Sequence, residues 1–276
     1  MDNRPIGFFD SGLGGLTCIP HLMKQLPNEK MIYFGDTART PYGSKATTTI
    51  RSFSMEIADF LMKCNVKMIV IACNTVSATC LEALRSRFPQ IPILGIIEPA
   101  ARKIAAEYLE DTRVGIIGTK VTIGSSAYKK SIGSFNDRLK TYEKACPAFV
   151  PLIEEGIIEN DIMDLTIKYY MDEFVESNQL DAVVLGCTHY PLIKRNIERL
   201  YPRIQIINPS RIIVENIENI LRESDMLAGN SDFKNVFYAS DLSENFVNMI
   251  DYIFENEDAE AKVKFLNFDL EKGEQR

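Results

Sequence analysis

The chain contains 276 residues, of which 46% are hydrophobic and 25% are charged. This is the composition of an ordinary folded protein, and the length is sufficient for two domains of common size. It excludes a disordered chain, a fibre and a small disulfide-stapled protein. The formal net charge of −7 disfavours sequence-independent binding to nucleic acid, whose phosphate backbone attracts basic surfaces.

Short apolar runs alternate with amphipathic segments along the chain. The apolar runs predict strands at residues 6–9, 31–34, 67–72, 91–97, 114–117, 182–185, 204–207 and 262–268. Between them, apolar residues at helical spacing predict helices, for example over residues 50–64 and 76–88. Asp241, with Glu244 three residues later, predicts the start of a late helix. This alternation is typical of an α/β fold with mostly parallel sheets.

One pattern occurs twice, which indicates an internal repeat. A strand ends at a cysteine, a helix follows and ends at an aromatic residue and a proline, and a second strand then ends at a polar residue and a proline. The first copy contains Cys73 and the second contains Cys187. We therefore expect two similar Rossmann-like or flavodoxin-like domains, related by a pseudo-twofold axis, with the active site in the cleft between them.

The boundaries between the two domains are predicted at residues 98–99 and 208–209, each a polar residue followed by a proline. A proline resists continuing an element and restricts the residue before it, so each pair is interpreted as a crossing. This assigns residues 1–98 and 209–276 to the first domain and residues 99–208 to the second.

The six cysteines are spread over a long chain that has only two histidines and no Cys-x-x-Cys. No secretory apolar segment precedes the first strand, so a cytoplasmic location with reduced thiols is expected. No apolar stretch approaches the roughly 20 residues that span a bilayer, so no membrane association is expected. With so few histidines, no metal site is expected either.

Cys73 and Cys187 carry the predicted chemistry. Each lies at the carboxyl end of a predicted parallel strand, where ligands bind in such sheets, and each opens a helix, whose N-terminus favours a thiolate. A single such cysteine is commonly a small core residue, whereas two at equivalent places of a repeat favour function. Two thiols on opposite faces of one carbon can act as base and acid and exchange these roles in the reverse direction, which favours inversion of a stereocentre.

Asp10 and His189 are candidates to assist the two thiols. Asp10 ends the first predicted strand and His189 follows Cys187 by two residues. Each also has a plainer interpretation, because an aspartate there can cap a helix or form a turn, and a histidine there can lie on a helix surface.

Two other classes of protein remain open on these residues. A non-catalytic two-domain ligand-binding protein would share the fold, although two equivalent cysteines have no use in it. A nucleotide-cofactor enzyme would use Gly12-x-Gly14 after a strand, with Asp36 at the end of the next strand. Thr17 occupies the third glycine position of that fingerprint, which makes the match weak.

Six segments in order resemble the motifs of bacterial glutamate racemases, within the aspartate/glutamate racemase superfamily. They are DSGLGG (10–15), GDTARTPYG (35–43), ACNT (72–75), GTKVT (118–122), FVPLIEEG (149–156) and GCTHYP (186–191). One segment alone would be weak, but six in this order are highly specific.

The resemblance implies a cofactor-independent homodimeric isomerase that interconverts L- and D-glutamate by proton transfer between two cysteines and supplies D-glutamate for peptidoglycan. It implies that Cys73 is the base for D-glutamate and Cys187 the base for L-glutamate. Asp10, Glu154 and His189 match the assisting residues of the family. The matching substrate contacts are Asp10, Ser11, Tyr42, Gly43, Asn74, Thr75, Thr188 and His189.

The specificity for glutamate is also an expectation from the resemblance. An aspartate racemase or another amino-acid racemase of the same superfamily is the alternative. His189 favours glutamate, because aspartate-type members are expected to carry an acidic residue in its place.

Overall fold

The computed structural model describes residues 1–229, 234–242, 247, 249–250, 252–254, 265–269 and 274–275. The strands are β1 (Ile6–Asp10), β2 (Met31–Gly35), β3 (Met68–Ile71), β4 (Ile93–Gly95), β5 (Arg113–Gly118), β6 (Lys140–Ala145), β7 (Ala182–Gly186), β8 (Gln205–Ile207), β9 (Val236–Ala239), β10 (Phe265–Asp269) and β11 (Glu274–Gln275). They form two separate sheets, one of seven strands and one of four.

Helices connect most of these strands. They are α1 (Ile19–Gln25), α2 (Thr47–Lys63), α3 (Asn74–Thr79), α4 (Leu81–Arg87), α5 (Ile97–Glu107), α6 (Lys120–Ser125), α7 (Ala127–Phe135), α8 (Phe149–Glu154), α9 (Asp161–Asn178), α10 (Lys194–Leu200) and α11 (Pro209–Glu223). Short 3₁₀ turns cover Gly14–Cys18, Thr37–Arg39, Tyr42–Ser44 and Tyr190–Ile193. None of the helices in the described part of the chain is long and apolar enough to cross a membrane.

Strands β1–β4 of the first sheet and β5–β8 of the second are arranged in the same order. The first runs β11-β10-β9-β2-β1-β3-β4 and the second runs β6-β5-β7-β8. All of the paired strands are parallel except β10 and β11. In both sheets the first strand of a unit lies between the second and the third, and the fourth pairs with the third. The predicted α/β class with parallel sheets is confirmed, and β3 and β7 are equivalent by position.

The central strands form because their side chains are apolar on both faces. All residues of β1, β3 and β7 are buried, as expected for parallel strands covered by helices on both sides. Several helices begin at a polar residue that accepts a backbone hydrogen bond. Thr119 accepts from Thr122, and Asn208 accepts from Ser210 at the start of α11.

The structure corrects some of the predicted boundaries. The helix predicted over residues 76–88 is broken at Cys80, whose φ is −123°. The hydroxyl of Thr79 donates to the Thr75 carbonyl in the turn before the break, a pattern that bends helices. The strand predicted over residues 91–97 is only β4, because α5 already begins at Ile97.

Proline positions account for another difference. Pro99 lies inside the first turn of α5, where its missing N–H has no helical partner to lose. Pro99 therefore does not end a helix or a strand at this place. The domain boundaries drawn from the polar-Pro pairs stay a prediction. Residues 243–246, in the predicted late helix, and residues 262–264, in the predicted last strand, lie outside the described residues.

Candidate active site

The loop after β1 brings a buried carboxylate to the edge of the first sheet. Asp10 has no solvent-exposed surface, and its Oδ2 accepts a hydrogen bond from the Gly12 backbone N–H at 3.1 Å. Its Oδ1 accepts from the Thr188 hydroxyl at 3.2 Å. Burial raises the pKa of Asp10, against the opposing effects of His189 and of these hydrogen bonds. Asp10 thus links the first sheet to the segment that follows β7.

Cys73 is the second residue after β3 and the residue that precedes α3. Only 4% of its surface is exposed, and its Sγ lies 3.4 Å from the Ser11 hydroxyl oxygen. Burial, and then the charge of Asp10, raise the pKa of Cys73 to about 12. Cys73 is therefore a neutral thiol near pH 7, able to give a proton.

Cys187 lies at the equivalent place after β7 and is 6% exposed. Its Sγ is 3.9 Å from Nδ1 of His189, whose Nε2 is 3.0 Å from Oε1 of Glu154. Burial by itself would lower the pKa of His189, but the contacts with Cys187 and Glu154 outweigh it and hold that pKa well above its usual value. An imidazolium in this position stabilises a negative charge on the Cys187 sulfur.

The two cysteines lie on either side of the loop that follows β1. Cys73 contacts Ser11 of this loop, and Thr188, the residue after Cys187, donates a hydrogen bond to Asp10. The elements around them also meet directly. A hydroxyl triangle joins Thr75 of α3 to Thr119 and Thr122, with oxygen separations of 3.1 Å, 3.3 Å and 3.0 Å. The two sheets therefore contribute to a single site.

Two glycines permit this close approach. A Cβ added to Gly14 would lie 2.5 Å from the Thr188 hydroxyl oxygen, 2.6 Å from His189 Nδ1 and 2.9 Å from the His189 backbone nitrogen. A Cβ on Gly43 would lie 2.5 Å from Cβ of Thr119. Real Cβ contacts are not this short, so both positions require glycine for the loops to fit together.

Asn74 presents an amide beside Cys73. It is 2% exposed, and its Oδ1 accepts a hydrogen bond of 2.6 Å from the Tyr128 hydroxyl. Its Nδ2 is buried and has no hydrogen-bond partner among the described residues. The amide thus retains an unused donor.

The hydroxyl of Tyr42 donates a hydrogen bond to Asp36. Asp36 is fully buried and also accepts from Arg39 at 2.7 Å and from Ser240 at 2.9 Å. Because the Tyr42 hydroxyl hydrogen is engaged, this hydroxyl does not donate to a substrate carboxylate. The network instead holds the loop that carries Gly43.

Most of the predicted site residues come together at this place. The structure groups Asp10, Ser11, Cys73, Asn74, Thr75, Glu154, Cys187, Thr188 and His189, while Tyr42 and Gly43 line one side. Four further residues contact them and were not predicted from the sequence, namely Thr40, Thr119, Thr122 and Tyr128. The first three lie within the six quoted segments, whereas nothing near Tyr128 singles it out. No cluster of three or more metal-ligating side chains occurs among the residues described.

This arrangement can move a proton through a bound molecule. A neutral thiol on one side can act as an acid, and a sulfur beside an imidazolium on the other can act as a base. The nearby hydroxyls, backbone N–H groups and the Asn74 amide can bind carboxylate oxygens.

Comparisons with known proteins agree with the geometry. A family profile described as Asp/Glu/Hydantoin racemase matches residues 17–217. The chain is 44% identical to the glutamate racemase of Geobacter metallireducens over 249 residues, 90% of this chain and 91% of that protein. It is 46% identical to the glutamate racemase of a Sulfurihydrogenibium species over 217 residues, 78% of this chain and 82% of that protein. The crystal structure of glutamate racemase from Francisella tularensis in complex with D-glutamate superposes with a TM-score of 0.90 at 36% identity, covering 99% of this chain and 100% of that one.

Proposed function

The chain belongs to the Asp/Glu/hydantoin racemase family and, within it, to the glutamate racemases, and from this membership we propose that it interconverts L- and D-glutamate by proton transfer between Cys73 and Cys187. The enzyme is an isomerase whose product supplies peptidoglycan synthesis in this family. The observation that carries the two-cysteine mechanism is the pair of buried thiols at equivalent strand ends of two sheets of one topology.

The environments of the two sulfurs support a division of roles. Cys187 lies beside the His189 imidazolium and is placed to remove the α-proton of L-glutamate. Cys73, a neutral thiol, gives its proton to the opposite face of the planar carbanion-like intermediate. The C–H bond broken on one face is replaced by a C–H bond on the other, and the two sulfurs exchange protonation states. D-glutamate then reacts by the reverse sequence.

Proton removal from an amino acid α-carbon is difficult, because that carbon is a very weak acid. Burial of both thiols supports a closed, water-poor site in which the surrounding hydrogen-bond donors act strongly on the developing charge. The candidate donors are the short, neutral side chains of Ser11, Asn74 and Thr75. Neutral donors bind the substrate carboxylates without stabilising the ground state as strongly as an arginine would.

The function is tested by following optical rotation or circular dichroism of glutamate without any added cofactor. We expect the signal to decay to zero from either pure enantiomer, because the two are equal in free energy. Aspartate, tested in parallel, should be a poor substrate. Turnover of aspartate with none of glutamate would assign the protein to another racemase, and glutamate binding without turnover would favour a ligand-binding protein.

Sedimentation analysis tests the proposed homodimer, and fractionation tests the proposed cytoplasmic location.

Glu154→Gln should move the pH dependence of this reaction in a defined direction. The carboxylate of Glu154 helps to hold the pKa of His189 above its usual value, so its removal lowers that pKa. His189 then loses its proton at lower pH, and the alkaline limb of kcat/KM should shift to lower pH. The measurement is a pH profile of racemisation between about pH 6 and pH 10.

The neighbouring exposed residue offers a matched control for this shift. Glu155→Gln removes the same charge one residue further along the chain and should leave the limb in place. A profile that Glu154→Gln does not move would show that Glu154 and His189 are not coupled in the reaction.

A further inference from the structure

Tyr128 connects the two sheets through one hydrogen bond. It lies in α7, which follows the first strand of the second sheet, and its side chain is fully buried. Its hydroxyl donates to Oδ1 of Asn74 at 2.6 Å, across 54 residues of chain. Asn74 is the residue after Cys73 and begins α3. Tyr128 therefore contacts the half of the site that belongs to the first sheet, although it belongs to the second.

The hydrogen bond decides which end of the Asn74 amide remains available. Because Oδ1 accepts from Tyr128, the amide nitrogen is turned away from that hydroxyl, and Nδ2 is buried without a partner in the described part of the chain. A buried donor left unpaired is unfavourable, and such a donor on the residue after Cys73 is suited to bind an acceptor that arrives with the substrate. The carboxylate oxygens of glutamate are acceptors of this kind.

Packing keeps the tyrosine in place. A Cβ added to Gly186, the residue before Cys187, would lie 3.3 Å from Cε2 of Tyr128, so the ring passes close to the end of β7. Burial, together with the charge of Cys187, raises the pKa of Tyr128, and the hydroxyl therefore stays protonated as a donor. A rotated amide would place its own N–H groups against that hydroxyl and leave Oδ1 facing the incoming carboxylate, which would repel it.

We propose that Tyr128 is a positioning residue, whose hydroxyl fixes the Asn74 side-chain amide with its N–H groups directed to a substrate carboxylate. The inference rests on the proposed function and adds to it a residue that touches Asn74 and not the reacting atoms. It also makes the binding donor dependent on the approach of the two sheets, since the hydroxyl and the amide come from different ones.

The test is a double-mutant cycle with Tyr128→Phe, Asn74→Ala and the double variant, measured as kcat/KM for racemisation. Tyr128→Phe removes only the hydroxyl, and we expect kcat/KM to fall about tenfold, with a raised KM for both enantiomers. In the Asn74→Ala background, the same change should alter kcat/KM by less than about twofold, because the residue through which Tyr128 acts is gone. Additive losses in an active protein would overturn the positioning role and leave the proposed function intact.

Tyr190→Phe is the control for a purely structural loss. The fully buried hydroxyl of Tyr190 donates to the Cys146 carbonyl at 2.9 Å, so this substitution removes a tyrosine hydrogen bond of the same kind. Both variants should lower the melting temperature similarly, but only the effect of Tyr128→Phe on KM should depend on Asn74. An equal dependence for Tyr190→Phe would also overturn the inference.

A second variant keeps the proposal testable if Tyr128→Phe fails to fold. Asn74→Asp retains an acceptor for the Tyr128 hydroxyl, and at alkaline pH, where the new carboxyl is ionised, it removes the donor and repels the substrate carboxylate, so it should weaken D-glutamate binding more than about tenfold. Calorimetry in a Cys73→Ser background measures this binding without turnover. Unchanged affinity would overturn the inference. A wild-type protein that neither racemises nor binds glutamate would overturn the proposed function and this inference together.

Discussion

Replacing either Cys73 or Cys187 with serine should reduce the interconversion of glutamate by about 10³-fold or more in both directions. A serine hydroxyl is a far weaker acid than a thiol, so it neither forms the base nor gives its proton readily. Both sulfurs are needed in every turnover, since one removes the proton and the other replaces it. Circular dichroism measures the racemisation rate of each variant.

Proton exchange in heavy water separates the two roles. The Cys73→Ser variant retains Cys187 and should still exchange the α-proton of L-glutamate without forming D-glutamate. The Cys187→Ser variant should do the opposite and exchange the α-proton of D-glutamate alone. Cys64→Ser is the control, because Cys64 is a half-buried residue that follows α2, outside the site. Two single variants that both racemise glutamate at the wild-type rate would refute the two-cysteine mechanism.

Gly14→Ala should have the second largest effect, lowering kcat/KM on the order of 100-fold. The new Cβ would lie 2.5 Å from the Thr188 hydroxyl oxygen and 2.6 Å from His189 Nδ1, and the backbone nitrogen of His189 is also within 2.9 Å. Because one of these atoms is backbone, rotating a side chain does not relieve the contact. The loop must move, and with it His189 is displaced from Cys187 and Glu154.

Gly133→Ala is the matched control for Gly14→Ala. Gly133 lies in α7, and a Cβ there meets nothing within 4 Å, so alanine should leave activity unchanged and slightly stabilise the helix. The test compares the racemisation rates and melting temperatures of both variants with those of the wild-type protein. Full activity of Gly14→Ala would mean that the tight contact with His189 has no part in the reaction.

Some elements were predictable because their signal is local. The buried strands β1, β3 and β7 are continuous apolar runs, and a strand covered by helices on both faces needs no other feature to be recognised. β6 was not predicted, because its residues alternate among lysine, threonine, tyrosine and glutamate and are exposed or only half-buried. It forms a strand through its pairing with β5, which supplies hydrogen bonds that the composition does not indicate.

The two cysteines of the site were also recognisable from the residues immediately around them. Cys73 and Cys187 could be paired from the sequence because the segments around them repeat, and the shared strand order accounts for that repetition. The break at Cys80 and the helix start at Ile97 depend on packing and on hydrogen bonds to side chains, so helical periodicity placed them incorrectly.

The amino-acid sequence by itself determined the α/β class, the duplicated unit and the two cysteines at its strand ends, because each of these follows from periodicity and order along the chain. Only the tertiary structure decided that Tyr128 meets Asn74, that Thr75 meets Thr119 and Thr122, and that Gly14 lies against His189. Such partners are separated by dozens of residues with no repeat to relate them. These contacts form where the two sheets pack against each other. Residues that are close in space there are far apart in the sequence.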